Sequence, residues 1–166
     1  MAVRPVLTCP DERLKRIAAP VEVFDDALRA GIADLDDTLR AGPAAVGIAA
    51  PQIGWSRRVV IIDASARPQS RHHGRLVLVN PEIVAREGAI VGREGCLSVP
   101  DYTGNVVRAE RLTLAACDEH GRPRRYEMEG FEARVVQHEI DHLDGLLFLD
   151  RVVSRRNDLF RRKVYR

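Results

Sequence analysis

The chain of 166 residues lacks any apolar run long enough to cross a bilayer. Stretches such as Val59–Ile62 and Leu76–Val79 are far too short, since a spanning helix needs about 20 apolar residues. No membrane partner is expected. The first residues, Met1-Ala2-Val3-Arg4-Pro5, lack the apolar segment of a secretory leader. Cysteine occurs only three times. The odd number argues against a disulfide framework and for a reducing compartment, here the cytoplasm. Internal repeats and low-complexity segments are also missing. What remains, 45% hydrophobic and 30% charged residues, suits one globular domain spanning 1–166.

The net charge of +2 conceals an asymmetry. Residues 151–166 carry seven basic residues against Asp158 alone, a net +6 that leaves about −4 for the rest. A basic tail on a mildly acidic body suits an anionic partner, with RNA first and a solvated, unpartnered tail as the alternative.

Periodicity predicts an α+β fold. Asp11–Arg16 is expected as a short helix. Phe24–Arg40 is expected as an amphipathic helix with Leu28, Ile32, Leu35 and Leu39 on its apolar face, ended by Gly42-Pro43. Strands are expected over Arg58–Asp63, Leu76–Ala85, Ile90–Glu94 and Arg111–Cys117, with a loop over Ala64–Gly74. His120–Pro123 is a turn signal, and Arg124–Met128 returns as a strand. Phe131–Asp144 is expected as a helix set into antiparallel and mixed sheets. A basic C-terminal helix should follow within 151–166, from about Ser154.

The segment His138-Glu139-Ile140-Asp141-His142 carries the chemistry. Imidazoles four residues apart share a helix face and can hold one metal ion. The carboxylate between them can handle the proton of an attacking water. Val136, Ile140, Leu143 and Leu147 should face the core, and Val135, His138, Glu139 and His142 the site. Two imidazoles need a third ligand. Endopeptidases with this motif find it downstream, but residues 143–166 hold no Glu and no His. In the elongated motif Gly145 fits, yet the ligand position is Phe148. The best upstream candidate is Cys96, in Glu94-Gly95-Cys96-Leu97-Ser98; a third buried thiol, like Cys9 and Cys117, is the alternative.

At these residues the sequence resembles the peptide deformylase family. The resemblance rests on Gly47-Ile48-Ala49-Ala50-Pro51-Gln52, then Glu94-Gly95-Cys96-Leu97-Ser98, then Gln137-His138-Glu139-Ile140-Asp141-His142, in the family's order. It implies removal of the formyl group from formyl-methionine at the start of new polypeptides. It implies one divalent ion on Cys96, His138 and His142, normally Fe(II), with Zn, Ni or Co able to replace it. Glu139 would carry the proton, and the Gln52 amide and the Leu97 N–H would receive the oxyanion. Val46, Gly47, Ile48, Phe131, Arg134 and Val135 would hold the substrate, and Glu94, Gly95 and Arg108 would brace the cysteine segment. Formyl-methionyl nascent chains are the expected partners, together with the ribosome through the basic tail. No DNA partner is expected, and the chain should act as a monomer. Two positions depart from the family. Ala45 stands where a glycine is usual, strained only if its φ is positive. Thr103 stands where some members hold the peptide with an arginine.

Overall fold

The computed structural model describes residues 1–162. Helix α1 (Asp26–Ala41) starts where the Asp25 carboxylate accepts the Leu28 N–H at 2.9 Å. It buries the expected stripe of Leu28, Ile32, Leu35 and Leu39 and ends at Gly42. Upstream, the expected short helix is a 3₁₀ turn over Glu12–Lys15 that buries Leu14.

Five antiparallel strands form the larger sheet: β1 (Gly47–Ala49), β2 (Val59–Asp63), β3 (Arg75–Glu87), β6 (Arg111–Cys117) and β7 (Pro123–Glu129), in the order β1-β2-β3-β6-β7. β4 (Ile90–Cys96), β5 (Val99–Arg108) and β8 (Leu159–Arg161) make a second antiparallel sheet, ordered β4-β5-β8. Helix α2 (Gly130–Leu143) is almost wholly buried.

Strand β2 explains the layering. Side chains alternate along a strand. Val60 and Ile62 therefore pack towards α2 in one core, while Val59 and Ile61 pack towards α1 in another. Both faces of the larger sheet are thus covered by a helix. A third core joins Cys96, Val99 and Val106 to Leu147, Phe148 and Val152.

Two expectations are corrected. The 151–162 part of the expected C-terminal helix is not helical. The Asp158 N–H donates to the Ser154 carbonyl at 2.7 Å to close a turn, after which β8 pairs Leu159–Arg161 with Tyr102–Gly104. That segment has no 3.6-residue apolar stripe: Val152 and Val153 stand at its start, and after them only Leu159 and Phe160, which lie half-buried. The rest of the expected helix, 163–166, lies outside the described residues. Leu147 also leaves the α2 face: the helix stops at Leu143, and Leu147 joins the third core instead.

Candidate active site

The larger sheet presents β1 as an edge strand, and the smaller sheet presents β4 as one. A cleft of about 350 Å³ lies between them, with α2 behind it. Along β4, Glu94 and Cys96 point inwards while Arg93 and Gly95 point out. Register slips at Gly95/Cys96 against β5, and a tight turn through Leu97-Ser98 follows. That turn sets the Cys96 thiol opposite α2.

On α2, His138 and His142 stand one turn apart with ring centroids 5.1 Å apart. Cys96 Sγ lies 3.3 Å from His142 Nε2, and one ligand atom from each of Cys96, His138 and His142 lies within 4.8 Å of the others. The structure thus gathers the three residues that the sequence nominated from two motifs. Phe148, unable to be a ligand, stacks on the His138 ring at a centroid distance of 6.3 Å.

A buried network fixes His138. Glu94 Oε1 accepts from His138 Nδ1 at 2.8 Å and from Arg108 Nη2 at 2.9 Å; Oε2 accepts from Arg108 Nε at 2.9 Å and Arg134 Nη1 at 2.7 Å. Arg108 Nη1 donates to Asp141 at 2.6 Å, and Arg151 donates to both Asp141 oxygens. With Nδ1 committed, Nε2 of His138 is left to face the thiol. Such outer partners set both the orientation and the tautomer of a ligating imidazole. Sequence pattern could not distinguish this network from an exposed Glu94–Arg108 pair.

The same network titrates. Burial alone would raise the Glu94 carboxyl, but Arg108 and His138 hold it well below the usual range. Asp141 is likewise penalised by burial, yet lowered by Arg151 and Arg108. In the unfolded chain both bind protons at a pH where the folded protein does not. Their stabilisation is therefore complete above the ordinary carboxylate range, begins to decline within it and is lost as pH falls on through the lowered folded-state values. Arg108→Met leaves both carboxylates short of a partner and should destabilise the protein by about 3–5 kcal/mol at pH 7, less at pH 4. Urea unfolding at the two pH values checks this; an equal loss at both would contradict it.

Burial would raise the Cys96 thiol, but His142 and His138 overcome this and pull it well below its ordinary value. His138 is penalised by burial, yet its bonds to Cys96 and Glu94 hold it well above the usual imidazole value. A thiolate facing two imidazoles is a donor set for a divalent metal with one position left open, so the residues fit the ion.

Beside them Glu139 is buried, and its Oε2 has no protein hydrogen-bond partner among the described residues. Burial pushes its carboxyl up to about 7, against the lowering influence of His138 and His142. Gly47 makes room for it: a Cβ there would stand 2.8 Å from Glu139 Oε1.

Gln52 closes the far side from a 3₁₀ turn over Ala50–Ile53. Its Oε1 accepts the Ala49 N–H at 2.9 Å, which leaves Nε2 pointing at Ser98 Oγ, 3.1 Å away, and Cys96 Sγ, 3.6 Å away. Sequence reasoning missed Ser98 as an orienting partner, although it ends the cysteine motif; its N–H also donates to Cys96 Sγ at 3.4 Å.

Val46, Gly47, Gln52, Glu94, Gly95, Cys96, Leu97, Phe131, Arg134, Val135, His138 and Glu139 all line the cleft. Ile48, Arg108 and His142 do not. Alternation along β1 turns the Ile48 side chain to the α1 core, and His142 is buried behind Cys96 and His138. Arg108 lies behind Glu94, outside the wall. The departure at Ala45 is unstrained, because the positive φ of that turn, 53°, falls on Ala44 instead.

A thiol, two imidazoles and a buried carboxyl gathered beside one cleft define the class, a metal-dependent hydrolase. The sequence model of the polypeptide deformylase family matches residues 3–158. A peptide deformylase of Alkalilimnicola ehrlichii is 44% identical over 164 residues, covering 99% of this chain and 90% of that protein. The structure of a peptide deformylase from Legionella pneumophila superposes with a TM-score of 0.85 at 46% identity, covering 92% of this chain and 88% of that one. One from Ehrlichia chaffeensis, solved in complex with actinonin, gives 0.87 at 32% identity, with 94% and 92% covered. The chain belongs to the polypeptide deformylase family, enzymes that depend on a metal and remove the formyl group from N-terminal formyl-methionine. Among the described residues, no helix is long and apolar enough to cross a membrane.

Proposed function

We propose that Cys96, His138 and His142 hold one divalent ion and that Glu139, Gln52 and Leu97 carry out deformylation beside it. The supporting observation is the convergence of those three ligand atoms within 4.8 Å, next to the buried Glu139 carboxyl, which burial raises to about 7, where it can both take up and release a proton near neutral pH. A divalent ion held there would supply Lewis acidity to the formyl carbonyl and to the attacking water near neutral pH. Fe(II) is the cellular ion in this reading, with Zn, Ni or Co able to replace it; one thiolate and two imidazoles suit all four.

Glu139 accepts the proton of the attacking water through Oε2 and returns it to the amide nitrogen as the C–N bond breaks. Formate and a free amine leave. Gln52 Nε2, oriented by Ala49 and Ser98, and the Leu97 N–H at the turn donate to the oxygen that gains charge. An extended substrate lies between the free edges of β1 and β4 in the manner of an added strand. Its methionine side chain enters the apolar part of the cleft formed by Val46, Phe131, Val135 and the stem of Arg134.

In this reading the enzyme acts in the cytoplasm, which suits its three free cysteines, and as a monomer, because Cys96, His138 and His142 complete the ligand set without a second copy. Exposed Arg155 and Arg156 support docking to ribosomal phosphates. Formate release from an amidated formyl-Met-Ala peptide should require about one ion per chain, vanish on chelation and return with added metal. A fully metallated protein without turnover would overturn the reading. Sedimentation of the same protein with ribosomes at low and high salt checks the docking, which should be lost without residues 151–166.

A further inference from the structure

We propose that arginines at the cleft mouth select substrates by charge, favouring aspartate or glutamate at the second to fourth residues of the formyl-methionyl chain and disfavouring lysine and arginine. This rests on the deformylase reading of the cleft and deepens it.

Three guanidinium groups that the mechanism does not use line the cleft: Arg67, Arg93 and Arg162. The carboxylates lining it are Glu94 and Glu139. Glu94 is consumed by Arg108, Arg134 and His138, and Glu139 is buried at the closed end. No lining carboxylate therefore neutralises the three arginines.

All three are held by groups that leave their charge intact. The Arg93 guanidinium lies 3.7 Å above the Phe160 ring; its Nε donates to Asn105 Oδ1 at 3.1 Å, and Nη1 reaches Thr103 Oγ1 at 3.4 Å. Arg67 stacks on Phe131 at 4.0 Å. The Arg162 N–H donates to the Asp101 carbonyl at 2.7 Å, just after β8, and its guanidinium rests on Gly95, where a Cβ would stand 2.5 Å from Nη2. Stacking and neutral acceptors orient a guanidinium before an anion arrives, which lowers the ordering cost on binding. The strand that replaced the expected C-terminal helix thus delivers a cation to the site. Arg93 also occupies the neighbourhood of Thr103, where the sequence seemed to have lost one.

Position fixes which substrate residues meet them. The formyl end must lie at Cys96, and β4 leads away through Gly95 to Arg93. At about 3.4 Å per residue, Arg93 is about 10 Å along an extended chain, level with its second to fourth residues. The formyl group removes the terminal amine charge, so side chains there decide the electrostatics.

One exposed ion pair changes affinity only a few-fold. Three arginines around one mouth should give an aspartate-over-lysine ratio of about 10 in kcat/KM at low salt, falling towards about 2 in 0.5 M salt. The difference should lie in KM, because these groups touch the chain before and during reaction alike.

The test uses the metal-loaded full chain and formyl-Met tetrapeptide amides carrying Ala, Asp or Lys at positions two and three; amidation removes the competing peptide carboxylate. Turnover of the alanine peptide tests the deformylase reading by itself. The expected result is an aspartate preference that 0.5 M salt reduces and that Arg93→Gln/Arg162→Gln brings to about 2 or less. An enzyme active on the alanine peptide with no charge preference, or with a lysine preference, overturns the proposal. So does a preference unchanged in the double variant. If that variant does not fold, the wild-type salt dependence decides, and a ratio indifferent to salt counts against it.

Discussion

Glu139→Gln should lower kcat by about 10²–10⁴-fold with KM nearly unchanged and about one ion still bound per chain. Glutamine keeps the shape that fits against Gly47 but cannot accept a proton from water or return it to the leaving nitrogen. Metal analysis and formate release on the same sample check both halves. A variant within threefold of the native rate would remove Glu139 from the mechanism. Loss of the ion would instead make it a structural element of the metal site. The same variant has a second, separable readout in metal-free protein. Burial pushes the Glu139 carboxyl up to about 7, against about 4.3 in an unfolded chain. Between those values the folded protein binds a proton that the unfolded chain has released, so stability falls as pH rises through the window. Glutamine has no such titration. Metal-free Glu139→Gln should therefore match the native protein near pH 4 and exceed it near pH 8, by on the order of 1–3 kcal/mol.

Much of the site was legible because its chemistry is local in sequence. Two imidazoles at helical spacing with a carboxylate between them mark α2, and its period places them on one face whatever the surrounding fold does. The two positions of the elongated motif serve packing: Phe148 stacks on His138, and Gly145 packs against the backbone of Lys15. The strong β runs were readable for the same reason, since Val59–Ile62 is apolar on both faces and is buried on both. What stayed hidden depends on tertiary pairing. β1 is three residues of Gly-Ile-Ala, held by its register with β2 rather than by propensity. β5 carries Pro100, Asp101, Gly104 and Asn105, none favoured in strands, and exists because β4 and β8 flank it. The tail misled for a related reason. Arginine is a good helix former, but two adjacent apolar residues with no stripe behind them gain more by covering β5. The Glu94–Arg108–Asp141–Arg151 network joins four separate segments, and no periodicity announces a contact of that kind.

Cys96→Ala tests the step on which the sequence alone stayed open. Its expected result is metal content below about a tenth of an ion per chain and formate release at background. Two imidazoles alone hold a divalent ion poorly, and the missing thiolate also supplied negative charge. Misfolding would mimic this outcome, so stability must be read as well. Cys96 ends β4 within a small core of Val99, Val106 and Phe148, and replacing sulfur by hydrogen there should cost only about 1 kcal/mol. Native protein should gain about 2.7 kcal/mol of stability with metal at a hundred times its dissociation constant, whereas the variant should gain nothing. The other two cysteines supply the control. Cys9 is exposed, and Cys117 packs half-buried on the α1 side of the larger sheet; alanine at either should leave metal content and turnover near native. If Cys96→Ala kept its ion while remaining folded, the third ligand would lie elsewhere, and the case for a thiolate-ligated hydrolase would collapse even though both histidines stand where a metal needs them.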